Sequence, residues 1–320
     1  MTPLPAILYP CRVSTAAVIP PLLRQTITGV YGERGRQWCD AAPARIHDAC
    51  RRWGVRLSAS FEEMSYNFVA PGTMLDGTPV VLKAGVPSPE FDDEIAALRH
   101  FAGRGAVALL DADPTLAVLL LERVFPGTPL YTLDDDDEET RIAARVMRGL
   151  WRDPPDDHQF KSLGDLFQAF ARLRDRFHGG TGPLPPNLVA LAEALVPPLL
   201  ESAPPAMLLH GDFHHDNILR AGDQDWRVID PPGMVGDPAA EPGMFLCNPH
   251  ARIERTRDLP TLMVRRIDIL AADLELDRDR ILRWAVAWTV MSACWHIEDG
   301  TDGVDFAVRC ARGLASLLPD

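Results

Sequence analysis

The 320-residue chain has no apolar run long enough to cross a bilayer, which takes about 20 residues. No membrane partner is therefore expected. The apolar stretch nearest the start, Ala16–Leu23, is broken by Pro20 and Pro21 and has no basic segment before it, so no secretory signal is expected either. The six cysteines (Cys11, Cys39, Cys50, Cys247, Cys294, Cys310) are scattered and form no CxxC pair. A disulfide framework or zinc site is not expected, and reduced thiols in a cytoplasm are the simplest reading. Basic residues are in deficit, 32 against 45 acidic, for a net charge of -13. That balance argues against a nucleic-acid partner and would favour a cationic ligand. No internal repeat is found, and the sequence sets no oligomeric state. What is present is ordinary for a globular protein, 47% hydrophobic and 24% charged, at a length that suits about two domains.

The pattern changes along the chain. Residues 1–54 look helical with interruptions, and Gly54 ends a helix. Val55–Leu57, Asn67–Val69 and Val80–Lys83 read as short strands, the last two joined by an Asp76-Gly77 hairpin signal. A helix follows over 90–102, where Phe91, Ile95, Leu98 and Phe101 share one face. Ala106–Leu110 and Leu116–Leu121 are two more strands, the second a continuous apolar run like a central strand. After Pro126-Gly127 the chain turns helical, near 138–152, 163–178, 187–201, 239–246, 261–274, 278–298 and 304–318, interrupted by strand-like Met207–Leu209 and Trp226–Ile229. The expected architecture is α+β: a lobe of residues 1–124 with a small antiparallel sheet, then a helical lobe of residues 125–320. A ligand cleft is expected where they join. The acidic run Asp134–Glu139 reads as a solvated helix start.

Chemistry concentrates in His210-Gly211-Asp212-Phe213-His214-His215-Asp216-Asn217, a polar loop bracketed by apolar residues, followed by Val228-Ile229-Asp230-Pro231. An aspartate can position an attacking hydroxyl and accept its proton. An asparagine oxygen and a second carboxylate are hard ligands suited to Mg²⁺ on ATP phosphates. Asp, Asn five residues on, and a further Asp after a hairpin-length gap is the spacing of kinase-like phosphotransferases. His210 is expected to brace the loop. His214 and His215 read as packing or hydrogen-bonding groups rather than metal ligands.

The string His210-Gly-Asp212-x4-Asn217 resembles the catalytic loop of aminoglycoside phosphotransferases. The string from Ile229 through Asp230-Pro-Pro-Gly and Gly236-Asp-Pro-Ala-Ala-Glu241 to Pro249 resembles their streptomycin 6-phosphotransferase branch, the aminoglycoside/hydroxyurea resistance kinases. The specific motifs cover residues 207–249, with weaker correspondence back to residue 55. The resemblance implies a protein-kinase-like two-lobe fold and ATP with Mg²⁺ as cofactors. It implies Asp212 as catalytic base and Asn217 and Asp230 as metal ligands. It implies Lys83 on the ATP phosphates, paired with Glu94, and backbone groups at Glu122 and Val124 for adenine. The loop before the second strand lacks the glycines of protein kinases, and Ser65 and Asn67 stand there as candidates to cover the phosphates.

For the acceptor, Asp237 and Glu241 are candidates to face a cationic substrate, as are Glu298, Asp299 and Asp302 after a helix carrying Trp284, Trp288 and Trp295. Carboxylates suit guanidinium groups. The tryptophans read as a buried stripe. The expected activity is ATP-dependent phosphorylation of a hydroxyl of streptomycin or a related aminoglycoside. The alternatives are a kinase of another hydroxyl compound, such as hydroxyurea or an amino sugar, and a non-catalytic nucleotide-binding protein.

Overall fold

The computed structural model describes residues 18–62 and 64–319. The helical reading of residues 1–17, and Cys11 with it, lies outside the described residues. The chain forms two compact units, Met1–Ser88 with Leu110–Arg123, and Pro89–Leu109 with Val124–Asp320. Among the described residues no helix is long and apolar enough to cross a membrane.

The first unit is a helix on a sheet. Helix α1 (Pro21–Trp53) kinks at Gly32, and Gly54 closes it in the left-handed conformation with its N–H on the Cys50 carbonyl. Strands β1 (Val55–Leu57), β2 (Phe68–Met74), β3 (Pro79–Ala84), β4 (Leu109–Asp113) and β5 (Val118–Glu122) form one sheet in the order β1-β2-β3-β5-β4. The expected hairpin joins β2 and β3, with Thr78 N–H donating to Asp76 at 2.9 Å and Gly77 at φ 92°. Leu23, Ile27, Trp38 and Ile46 of α1 share a buried core with Phe68, Leu82, Val118 and Leu120 of the sheet. Strand β5 lies inside the sheet, as its apolar run implies. Strand β4 starts three residues later than the apolar pattern suggests. Val107 N–H instead donates to the Val228 carbonyl at 2.9 Å in the second unit, and only Asp113 of β4 is buried, so hydropathy does not mark it.

The second unit begins with α2 (Pro89–Phe101), which the sequence reading had placed with the β-rich lobe. Its ends are tied to the helical unit. Arg152 donates to the carbonyls of Phe101 (3.2 Å) and Arg104 (3.0 Å), His100 bonds the Asp153 carbonyl (2.8 Å), and Lys161 pairs with Glu90 (3.0 Å). The unit continues through β6 (Pro126–Pro129), α3 (Asp136–Leu150), α4 (Leu163–Phe167), α5 (Ala169–Arg176), α6 (Pro186–Glu201), β7 (Met207–Leu209), β8 (Ile218–Ala221), β9 (Trp226–Val228) and β10 (Met234–Gly236). It ends with α7 (Pro242–Leu246), α8 (His250–Arg255), α9 (Leu259–Leu274), α10 (Arg278–Asp299) and α11 (Val304–Ala315). The helix expected over 163–178 breaks at Gln168 into α4 and α5, and the one over 239–246 is a 3₁₀ turn followed by α7. Strands β6, β8 and β10 and helix α8 are additions, all too short to show a period.

Helix α10 is buried nearly all round. Trp284 and Trp288 lie in the core, the first stacked on Phe167 at 5.6 Å, so the tryptophan stripe is packing. Burying one such side chain contributes about 2–3 kcal/mol. The acidic run departs from a plain solvated helix start. Asp135 caps α3, accepting from Asp137 and Glu138 N–H, but Asp136 and Glu139 turn inward onto Arg252 and Arg266.

Candidate active site

Two strand pairs frame the loop in the second unit. Strand β7 pairs with β10, Leu209 opposite Met234, and β8 pairs with β9, Ile218 opposite Val228. The loop 210–217 and the segment 229–233 are thus fixed at both ends. Two backbone bonds close the frame, Gly233 N–H to His210 O and Ile229 N–H to Asn217 O, both 3.0 Å. Gly211 (φ 90°) and Asp230 (φ 56°) occupy the left-handed region, which costs a non-glycine residue of order 1 kcal/mol or more and concentrates at functional sites.

His210 is fully buried and braces the loop. Its Nε2–H donates to Ile229 O at 2.9 Å, while Nδ1 accepts the Asp212 N–H at 3.1 Å. That pairing needs the neutral ring, and burial lowers its pKa to about 4. Asp212 keeps a side chain 41% exposed. Its Oδ2 receives Asn217 Nδ2–H at 3.2 Å and lies 3.5 Å from His214 Nε2. Burial works to raise the Asp212 carboxyl, but His214 and Asn217 outweigh it and hold it below the usual aspartate value. Burial likewise works to lower His214, but Asp212 and Asp216 hold it up at about 10. Asn217 Nδ2 also donates to the Asp212 carbonyl at 3.0 Å. The same nitrogen lies 3.1 Å from His214 Nε2.

The structure corrects the reading of two candidates, Asp237 and Glu241. Asp237 does not face a substrate: it is buried, its Oδ2 accepts Arg280 Nε–H at 2.5 Å and Trp284 Nε1–H at 2.6 Å, and Oδ1 caps Ala239 N–H. Glu241 is also buried, at 2% exposure. It takes the His210 N–H (2.7 Å) and Trp151 Nε1–H (3.3 Å) on Oε2 and the Gly211 N–H (2.9 Å) on Oε1. Burial pushes its carboxyl up to about 7 against those three donors. Glu298 is engaged by Arg172 through two bonds of 2.8 and 3.2 Å. Asp299 ends α10 and Asp302 lies in the following turn, both exposed.

Lys83 is buried in β3 of the first unit, opposite Val69 and Leu119, and Glu94 is buried on α2 of the second. Ser65 is exposed and Asn67 half-buried in the bend before β2; Glu122 ends β5, and Val124 follows it, half-buried. Sequence reasoning named Glu241 but not its grip on the loop backbone, and it missed the buried group behind His215. It also missed Phe160, whose ring lies 2.8 Å from where a Cβ on Gly233 (φ 77°) would stand.

Residues 52–300 match the family model described as aminoglycoside/hydroxyurea antibiotic resistance kinase. The streptomycin 6-kinase of Streptomyces glaucescens is 31% identical over 307 residues, covering 92% of this chain and 96% of that protein. The hydroxyurea phosphotransferase of Kitasatospora aureofaciens is 31% identical over 303 residues, covering 90% and 83%. Among solved structures, a thermostable mutant of aminoglycoside phosphotransferase APH(4)-Ia, in ternary complex with ADP and hygromycin B, matches with a TM-score of 0.60 at 17% identity, covering 86% of this chain and 99% of that one. The chain belongs to the aminoglycoside/hydroxyurea antibiotic resistance kinases, small-molecule phosphotransferases of the protein-kinase-like fold.

Proposed function

We propose that the protein transfers the γ-phosphoryl group of ATP to a hydroxyl of streptomycin or a closely related aminoglycoside. The observation that carries this reading is the loop 210–217, which presents a half-exposed, ionised Asp212 beside Asn217 on a backbone gripped by His210 and Glu241. Asp212 orients the acceptor hydroxyl for in-line attack and takes its proton. Phosphoryl transfer depends mostly on positioning and electrostatics, so a carboxylate of low basicity suffices.

Asn217 and Asp230 would hold Mg²⁺. Their oxygens suit a hard cation, and Mg²⁺ needs only one or two such protein ligands beside phosphate and water. Among the described residues no group of three or more His, Cys, Asp or Glu forms a metal cluster. Bound there, the ion supplies charge neutralisation on the phosphates. On the first unit, Lys83 carries the ammonium for the phosphates, with Ser65 and Asn67 as covering groups. Glu94 steadies the lysine, and the backbone at Glu122 and Val124 serves adenine. Glu298, Asp299 and Asp302 are left as acidic groups for a cationic acceptor, Glu298 with Arg172 already on it. A kinase of this kind, its five described cysteines free, fits the cytoplasm.

Hydroxyurea is the second reading, favoured by a hydroxyurea phosphotransferase relative as similar as the streptomycin kinase one. The test is ADP release from Mg-ATP with streptomycin, other aminoglycosides, amino sugars and hydroxyurea offered in parallel. Turnover with streptomycin carries the first reading, and turnover with hydroxyurea alone the second. Silence with every hydroxyl compound overturns both.

A further inference from the structure

Behind the catalytic loop lies a buried group of charges that the proposed chemistry does not use. His215, in the 3₁₀ turn that ends at Asn217, is fully buried and stacks on Phe245 with ring centres 4.1 Å apart and planes 10° apart. Its Nε2 lies 3.4 Å from Glu139 Oε2, and Glu139 is also fully buried. Arg252 of α8 grips the same carboxylate at 2.5 and 2.7 Å and reaches Asp136 at 2.8 Å. Asp136 binds Arg266 at 2.5 Å, and Arg266 donates to the carbonyls of Leu246 and Asn248 at 3.0 and 2.5 Å.

Arg252 alone bonds both oxygens of Glu139 without help from His215. Neither ring nitrogen of His215 has an aligned hydrogen-bond partner, although both are sealed from solvent. An orphaned buried donor costs roughly 1–3 kcal/mol, and a phenylalanine would stack on Phe245 without that cost. A buried imidazole kept 3.4 Å from a fixed carboxylate is therefore poor as packing, and catalytic hydrogen bonds often tighten only once substrate is bound.

We propose that Glu139 is a positioning residue for the catalytic loop, acting through His215, whose Nε2–H closes onto the carboxylate when the loop takes its working geometry. The inference rests on the kinase reading above. Glu139 touches no reacting atom. Arg252 clamps it, and His215 relays that fixed point to the turn carrying Asn217, five residues from Asp212.

The test is a double-mutant cycle with His215→Phe and Glu139→Gln, read by kcat, by the KM for ATP, and by hydrogen exchange of the amides in 210–217. His215→Phe keeps the ring stack and removes the orphaned nitrogens. It is expected to lower kcat at least tenfold, leave the KM for ATP within about twofold, keep or raise Tm, and speed exchange in the loop. Glu139→Gln on that background is expected to lower kcat no further, because coupled residues are non-additive. If His215→Phe leaves kcat and loop exchange as in the wild type, the proposal is overturned even if Glu139→Gln does not fold. Absence of turnover in the wild type would overturn the kinase reading instead, and loop exchange would still report on the link between His215 and Glu139.

Discussion

Glu241 Oε2 accepts the backbone N–H of His210 at 2.7 Å, and the same carboxylate takes the N–H of Gly211 on its other oxygen. One buried side chain thus sets the direction of the Leu209–His210 and His210–Gly211 peptide units, while the Asp212 N–H turns to His210 Nδ1.

Glu241 has a pH signature. Its pKa is raised from 4.5 to about 7, so between those values the folded protein holds a proton that the unfolded chain has lost. Stability contributed by this group is present below about 4.5 and is lost as pH rises to about 7. Glu241→Gln is expected to remove that part of the pH dependence. It also turns an amide NH₂ toward backbone donors, which costs about 1–3 kcal/mol and lowers kcat. Denaturant melts of both proteins from pH 4.5 to 8 check this.

His210 gives the opposite slope. Its pKa falls from 6.5 to about 4 on burial, so its contribution is full above 6.5 and is lost as pH drops through about 4. In His210→Gln the acid limb of the stability curve should shift to lower pH, while stability at pH 7.5 falls by about 1–2 kcal/mol through the lost bonds.

The pairing of Asp212 with Asn217 was legible because it is local. Asp212 and Asn217 lie five residues apart, and the structure brings them within 3.2 Å. The α+β order was legible too, since β2, β3 and β5 carry clear apolar runs. What supports the loop was not. Glu241 is 31 residues from His210, and Glu139 is 113 from Arg252. A buried carboxylate looks no different in sequence from an exposed one. That is also why Asp237 and Glu241 read as substrate groups, and why the inward half of the run 134–139 read as solvated.

Asp237 and Arg280 form a buried pair, at 1% and 19% side-chain exposure. Removing one partner of such a pair costs about 3–5 kcal/mol. Asp237→Ala should therefore lower Tm sharply while the folded fraction keeps its acceptor KM. A raised KM with unchanged Tm would restore the substrate role.

Gly233 combines a positive φ with the Phe160 ring 2.8 Å from its missing Cβ and Ala97 at 3.1 Å. Gly233→Ala is expected to destabilise by about 2 kcal/mol or more and to lower activity by displacing the segment that begins at Asp230. Phe160→Leu in the same background should recover part of the Tm, which a thermal melt reads directly.

The proposed role of Asp212 is to orient the acceptor hydroxyl for phosphoryl transfer. It is tested most directly by the single-turnover rate and ATP affinity of Asp212→Asn beside the wild type, with streptomycin as acceptor. The expected rate is lower by at least about a thousandfold, within the span of orientation and proton-transfer effects, with ATP affinity changed less than about threefold. A variant that transfers phosphate at a near wild-type rate would contradict it.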